Sequence, residues 1–245
     1  MIKYHLFHTS SGLIIYDELF MRLLIVEPNA DGHSMILYVR HIVDAAVKRG
    51  WVVTLLTTKK SMHHESLLFL KNRYGYRFDV ICMADSKQYS GGSTLSLIMK
   101  QYNMYCNIKN KFNNPSRSDE YDLIYYVSLD NIDKVISLLG CPIKGVPYMG
   151  MIMSPKFHRH KFGLGLKSRS DVLFSCLFKR LLSMKLLLGV TVIDEYFYLF
   201  AKNNGNIYGE KVYRVSDVGE IKTEYCQGDI LDKSDRDCSR FYIHF

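Results

Sequence analysis

The sequence predicts an α/β protein built on a doubly wound, mostly parallel sheet. Three observations predict it. Short apolar or β-branched runs recur along the chain, segments with apolar residues at helical spacing lie between them, and the junctions carry glycine, proline, asparagine or aspartate. Strands that alternate with helical segments form βαβ units, and βαβ units give parallel strands with helices on both faces. The 245 residues suffice for one large domain, or one domain and part of a second. Hydrophobic residues at 48% and charged residues at 23% exclude a disordered or coiled-coil chain, and 5 prolines with 16 glycines leave no room for a long low-complexity linker.

The elements follow in order from Met21. Leu23 to Val26 is an apolar run of strand length closed by Pro28. Asn29-Ala30-Asp31-Gly32 is a turn, and Asp31 is placed to cap a helix that runs from His33 to Arg49, with Ile36, Val39, Ile42, Val43, Ala46 and Val47 on one side. Gly50 stops it. Val52 to Thr57 is a second strand, Ser61 to Tyr74 a helix and Phe78 to Cys82 a third strand. Leu95 to Phe112 is a helix broken by Asn113-Asn114-Pro115-Ser116, and Tyr121 to Tyr126 is a fourth strand. A short helix spans Asn131 to Leu139, and a glycine-flanked fifth strand spans Gly145 to Gly150. Residues 154–168 form a basic loop, Asp171 to Leu188 a largely apolar helix, Val190 to Ile193 a sixth strand, Asp194 to Lys202 a helix and Lys211 to Val215 a seventh strand. Ligands of such sheets sit at the carboxyl ends of strands where the strand order reverses, so the loops after Val26, Thr57, Cys82, Tyr126 and Gly150 are the places for chemistry.

Residues 1–20 stand outside this pattern. Their one apolar run, Leu13 to Tyr16, is too short for a signal peptide or a membrane span. They are expected to be an extension outside the core, with Met21 a candidate natural start; an extra strand or helix packed on the domain edge is the alternative. The six cysteines contain no CxxC pair, and the simple reading is a reduced, cytosolic compartment.

The net charge of +8 is local. Residues 156–185 hold eight basic side chains (Lys156, Arg159, Lys161, Lys167, Arg169, Lys179, Arg180, Lys185) against Asp171 alone, a balance of +7. Two readings stand: an anionic partner such as a phosphate or an anionic lipid, or a solvated loop and helix face. The helical stretch from Val172 to Leu188 likewise reads either as a core helix with a basic edge or as an interfacial helix on a membrane. A nucleic-acid coat is not expected, because the charge is confined to one segment.

The loop Pro28-Asn29-Ala30-Asp31-Gly32-His33 joins the first strand to a long helix, a position suited to phosphate or sugar hydroxyls. It carries no GxGxxG, and Gly165-Leu166-Lys167-Ser168 is interrupted by a leucine where a phosphate-binding loop needs Gly-Lys-Ser. Nicotinamide-dependent and P-loop readings are therefore set aside. His33 starts a helix beside Gly32 and can serve a ligand or simply cap and pack. His158 and His160 have no third partner for a metal. Asp130 and Asn131 follow the fourth strand and can bind sugar hydroxyls or cap a helix.

Leu23 to Pro28, Asp31-Gly32-His33, Lys48-Arg49-Gly50 and Trp51 to Thr57 together resemble the opening of GT-B glycosyltransferases, and are most similar to glycosyltransferase family 4. The resemblance continues through Tyr121 to Tyr126, Val146 to Gly150, Val190 to Glu195 and Tyr213 to Asp217, about residues 21–217. It implies a Rossmann-like acceptor-side domain over 21–193, transfer of a hexose from a nucleotide sugar to a polysaccharide or lipid-linked acceptor, and no metal or other cofactor. On their positions in these loops, His33 is the candidate catalytic residue, with Asp31, Gly32, Asp130, Asn131 and Arg159 as candidates around the substrate. The family's paired glutamates, eight positions apart, have no counterpart among Glu195, Glu210, Glu220 and Glu224, and only 28 residues follow Asp217. Residues 194–245 are thus expected to be a linker and an incomplete start of the donor-side domain. The expectation is a truncated or split enzyme with little activity alone, complemented by a second chain that carries the donor domain. A cytoplasmic location follows, peripheral on the membrane through 156–188. The alternatives are a non-catalytic acceptor- or partner-binding module, or an inactive remnant.

Overall fold

The computed structural model describes residues 7–9, 12–14, 21–28, 38–84, 93–112, 120–153, 155–208 and 210–215. In chain order these form strands β1 (Phe7–Thr9), β2 (Gly12–Ile14) and β3 (Arg22–Val26), then helix α1 (Arg40–Lys48), β4 (Val52–Thr58), α2 (Glu65–Tyr74) and β5 (Phe78–Met83). Next come α3 (Thr94–Lys111), β6 (Leu123–Tyr126), α4 (Asp133–Leu139), β7 (Tyr148–Ile152), α5 (Arg169–Leu182), β8 (Leu187–Val192), α6 (Glu195–Asn203), α7 (Gly205–Tyr208) and β9 (Val212–Arg214). β1 and β2 pair antiparallel with each other. The other seven strands form one parallel sheet in the order β5-β4-β3-β6-β7-β8-β9. All seven strands expected from the sequence are present.

The winding explains this order. The chain builds outward from β3 through β4 to β5, returns beside β3 as β6, and builds outward again to β9. Side chains alternate across a strand, so one strand feeds two cores. Leu23 and Ile25 of β3 join Val53 and Leu55 of β4 under α1 and α2. Leu24 and Val26 face the opposite way, into a larger core with Ile108 of α3, Ile136 of α4, Leu181 of α5 and Phe197 of α6. Strands buried on both faces are apolar throughout, which is why Leu23-Leu24-Ile25-Val26 shows no polar alternation.

Local chemistry sets the helix ends. Ser93 and Asp194 accept the backbone N–H of Ser96 and Phe197 at 3.2 and 3.0 Å, and Ser168 with Asp171 forms a reciprocal capping box on α5. Gly50 closes α1 with φ of +82°. The start of the His33 helix, with its Asp31 cap, lies outside the described residues.

Several boundaries differ from the expectation, two of them for a visible reason. The helix expected to reach Leu188 stops at Leu182, and β8 already begins at Leu187. The Leu187 N–H turns back to the Met184 carbonyl at 3.3 Å, and the Lys211 ammonium donates to the same carbonyl at 2.9 Å. These bonds fix the turn between helix and strand, which the continuous apolar run hides. The fifth strand begins at Tyr148 instead of Gly145, whose φ of +81° makes it a turn residue. In the segment 194–245, the described part contributes α6, α7 and β9, and β9 pairs in parallel with β8 in this same sheet.

Candidate functional site at the strand switch

β3 is the point where the strand order reverses, because β4 lies on one side of it and β6 on the other. The carboxyl ends of β3 and β6 diverge there into separate connections, the position at which ligands of such sheets bind. Two polar side chains meet there. Glu27 follows the last residue of β3 and is 1% exposed, and the Ser128 hydroxyl, two residues past β6, donates to its Oε2 at 2.6 Å. The backbone aligns them: the Glu27 N–H bonds the Leu56 carbonyl and the Val127 N–H bonds the Val26 carbonyl, both at 3.1 Å. From β4, Thr58 donates to the Pro28 carbonyl at 2.9 Å and ties the loops after β3 and β4 together. The Thr57 hydroxyl is buried with no hydrogen-bond partner among the described residues.

The turn that follows Ser128 carries two of the residues singled out from the sequence. Asp130 and Asn131 lie in the 3-10 turn Leu129–Asn131, before α4. Gln101 of α3 holds this turn, donating to the Asp130 carbonyl at 2.7 Å and to Asp133 Oδ1 at 3.0 Å, while its own oxygen accepts the Lys134 N–H at 3.0 Å. Burial pushes the Asp130 carboxyl up to about 6; the Asp133 carboxylate adds to this and Lys134 opposes it. Burial also raises Asp133, against the Lys134 ammonium at 3.0 Å. A carboxyl that titrates near 6 can accept a proton near neutrality.

Neither Asp130 nor Asn131 caps α4 with its side chain, because the residue before that helix is Ile132. Arg159 lies in the 3-10 turn Arg159–Phe162 after β7 and is half-buried there. Asp31, Gly32 and His33 lie outside the described residues. The structure therefore sets Asp130 and Asn131 in the turn directly after Ser128, whose hydroxyl holds Glu27, and Arg159 on the connection after β7. Glu27 and Ser128 were not singled out from the sequence. Their signal is a carboxylate that directly ends the run Leu23-Leu24-Ile25-Val26, and a serine that ends Leu123 to Val127. Among the described residues no group of three histidine, cysteine, aspartate or glutamate side chains is placed to hold a metal ion.

Two expected outcomes follow for this site. Ser128→Ala removes a short hydrogen bond to a buried carboxylate and is expected to lower stability by about 1.5–3 kcal/mol, read by urea unfolding. Asp130→Asn is expected to do the opposite at neutral pH. The folded state holds the Asp130 carboxyl above its ordinary value of 3.8, so stability is full below 3.8 and is lost as the pH rises through about 6. Asparagine mimics the protonated form, and the variant is expected to gain about 2–3 kcal/mol at pH 7, vanishing below pH 4. Melting curves across this range check it, and a gain independent of pH would remove the titration argument.

No family model matches the sequence, and no curated protein matches it. Solved structures do. Phytolacca americana UGT2, complexed with UDP-2fluoro-glucose and pterostilbene, superposes with a TM-score of 0.51 at 12% identity over 81% of this chain and 53% of that one. Arabidopsis thaliana UGT89C1, complexed with UDP-L-rhamnose, superposes with a TM-score of 0.54 at 13% identity over 86% of this chain and 56% of that one. Both are GT-B glycosyltransferases. The chain shares with them the parallel, Rossmann-like α/β fold. The chain spans about half the length of the structures it matches. No helix among the described residues is long and apolar enough to cross a membrane.

Proposed function

We propose that this protein is a glycosyltransferase component that holds the acceptor while a nucleotide-sugar donor is supplied by a second domain or chain. The observation that carries this reading is the buried Glu27–Ser128 pair at the strand switch, with Asp130 and Asn131 in the turn that directly follows Ser128. Sugar hydroxyls need donors and acceptors fixed in place, and an acceptor hydroxyl needs a group to take its proton as the new bond forms. Asp130 is one such group. His33, in the connection from β3 to α1, is the other, with Asp31 and Gly32 beside it. Arg159 supplies positive charge from the next loop. No metal or cofactor enters this reading. The opening motif allies the chain with glycosyltransferase family 4, and the acceptor is a glycan or a lipid-linked glycan. With a lipid-linked acceptor, residues 156–188 would touch the membrane at its cytoplasmic face.

Transfer requires donor and acceptor at near-attack distance. The purified chain is therefore expected to bind membrane-extracted acceptors without turnover in a radiolabelled assay against a panel of nucleotide sugars. Asp130→Ala and His33→Ala are expected to weaken acceptor binding. Turnover by the chain alone, abolished by His33→Ala, would overturn the half-site reading and make it a complete enzyme. Acceptor binding indifferent to both substitutions would remove the strand-switch site.

A further inference from the structure

A second site lies away from the strand switch, among the connections from β7 to β8 and from β8 to β9. A cavity of about 230 Å³ opens between the 3-10 turn Arg159–Phe162, one face of α5, and α6 with α7. Its apolar wall is Phe157, Phe200 and Tyr208, and its polar wall includes Lys161, Lys167, Lys179 and His160. Pockets that enclose drug-sized ligands run from about 300 to 1,000 Å³. This one suits a single small group, not a whole nucleotide sugar.

The charges in it are unbalanced, and two of the three lysines lie over aromatic rings. Three lysines face one acid, Asp171, and that carboxylate already accepts the Ser168 N–H at 2.8 Å in the capping box of α5. None of the three lysines pairs with a carboxylate among the described residues. The Lys161 ammonium sits 4.7 Å from the centre of the Phe200 ring and the Lys179 ammonium 5.9 Å from that of Tyr208. The ring faces orient both cations without neutralising them. The Tyr208 and Ser175 hydroxyls share a hydrogen bond at 2.6 Å in the same wall. His160 also lines the recess, and its Nδ1 is buried without a hydrogen-bond partner among the described residues. Three lysines, a histidine and two hydroxyl groups lining one small recess are the parts of an oxyanion site.

We infer that this cavity is a binding site for a phosphate-bearing group, held by Lys161, Lys167 and Lys179 with His160 at its wall. The inference goes beyond the sugar-transfer reading and does not depend on it, because none of these residues belongs to the strand-switch cluster.

The probe is inorganic pyrophosphate, titrated by calorimetry into the full chain at low salt, with vesicles of phosphatidylcholine carrying phosphatidylglycerol as a second arm. The test variant is Lys161→Gln/Lys167→Gln/Lys179→Gln. The control, Lys48→Gln/Lys71→Gln/Lys109→Gln, removes the same charge from α1, α2 and α3. One-site pyrophosphate binding is expected, with a Kd raised about tenfold or more in the test variant and little changed in the control. Binding confined to vesicles with the same lysine dependence would assign the phosphate to a lipid headgroup. Lys167→Gln alone, whose side chain has no ring contact, reads the same effect if the triple variant does not fold. No saturable binding in either arm, or equal losses in test and control, would overturn the inference.

Discussion

Gly150→Ala is expected to lower the stability of this fold by about 3 kcal/mol, at the upper end of what an added methyl costs in a packed core. A Cβ at this position would stand 2.7 Å from the Tyr126 carbonyl oxygen, 2.9 Å from Tyr126 Cβ and 3.0 Å from Leu129 Cβ. The oxygen belongs to the backbone of β6, which pairs with β7 at Tyr126 and Gly150, so it cannot swing aside. Relief requires the two strands to part, and Leu129 opens the turn that carries Asp130 and Asn131. The melting temperature is expected to fall by about 6–12 °C. If the proposed function holds, acceptor binding is expected to be lost at temperatures where the variant is still folded. Gly189→Ala is the contrast: its Cβ would meet the Tyr213 ring at 2.5 Å, but that side chain is half-exposed and can turn away. A Gly150→Ala protein that melts within about 2 °C of the parent would refute the tight β6–β7 approach.

Phe197→Ala is expected to cost about 3–5 kcal/mol, or roughly 6–20 °C in melting temperature. Phe197 is fully buried on α6, and its ring meets Phe157 at 5.4 Å, Phe178 at 5.2 Å and His158 at 5.0 Å, mostly edge to face. Truncation leaves a cavity under the loop that follows β7, and Phe157 and Phe200 also wall the basic pocket. Phe197→Leu keeps most of the volume and is expected to cost less than about 1.5 kcal/mol. The same cluster buries His158 completely, 3.7 Å from Asp194, and holds its imidazole below the usual histidine range despite that carboxylate. The folded state thus disfavours the charged ring. The stability this contributes is present above the ordinary value of 6.5 and is lost as the pH falls below it. Phe197→Ala admits water, so its stability is expected to fall less steeply with acid than that of the parent. An equal slope from pH 7.5 to 5 would separate the ring cluster from the histidine.

Much of the fold was legible because its strands are buried on both faces. Leu23 to Val26, Val52 to Thr57 and Val190 to Val192 announce themselves as apolar runs, and Gly50 and Gly140 mark the ends of their helices with positive φ. Alternation of such runs with helical segments admits few topologies, so the parallel sheet and the importance of the loops after Val26 and Tyr126 followed from local pattern alone. Asp130 and Asn131 were named as candidates for that reason. Glu27 and Ser128 were not paired, because 101 residues separate them and only the return of β6 beside β3 brings them to 2.6 Å. The displacement of Asp130 to about 6 was equally hidden, since it arises from burial and from Asp133 in the folded chain. The basic segment was visible as composition, yet composition does not say whether lysines converge. Three of them became a pocket only when α6 and α7 set the rings of Phe200 and Tyr208 against α5. Sequence determined which residues are strand, helix and charge, because those depend on neighbours along the chain; tertiary structure decided which charges share a site, because that depends on neighbours across it.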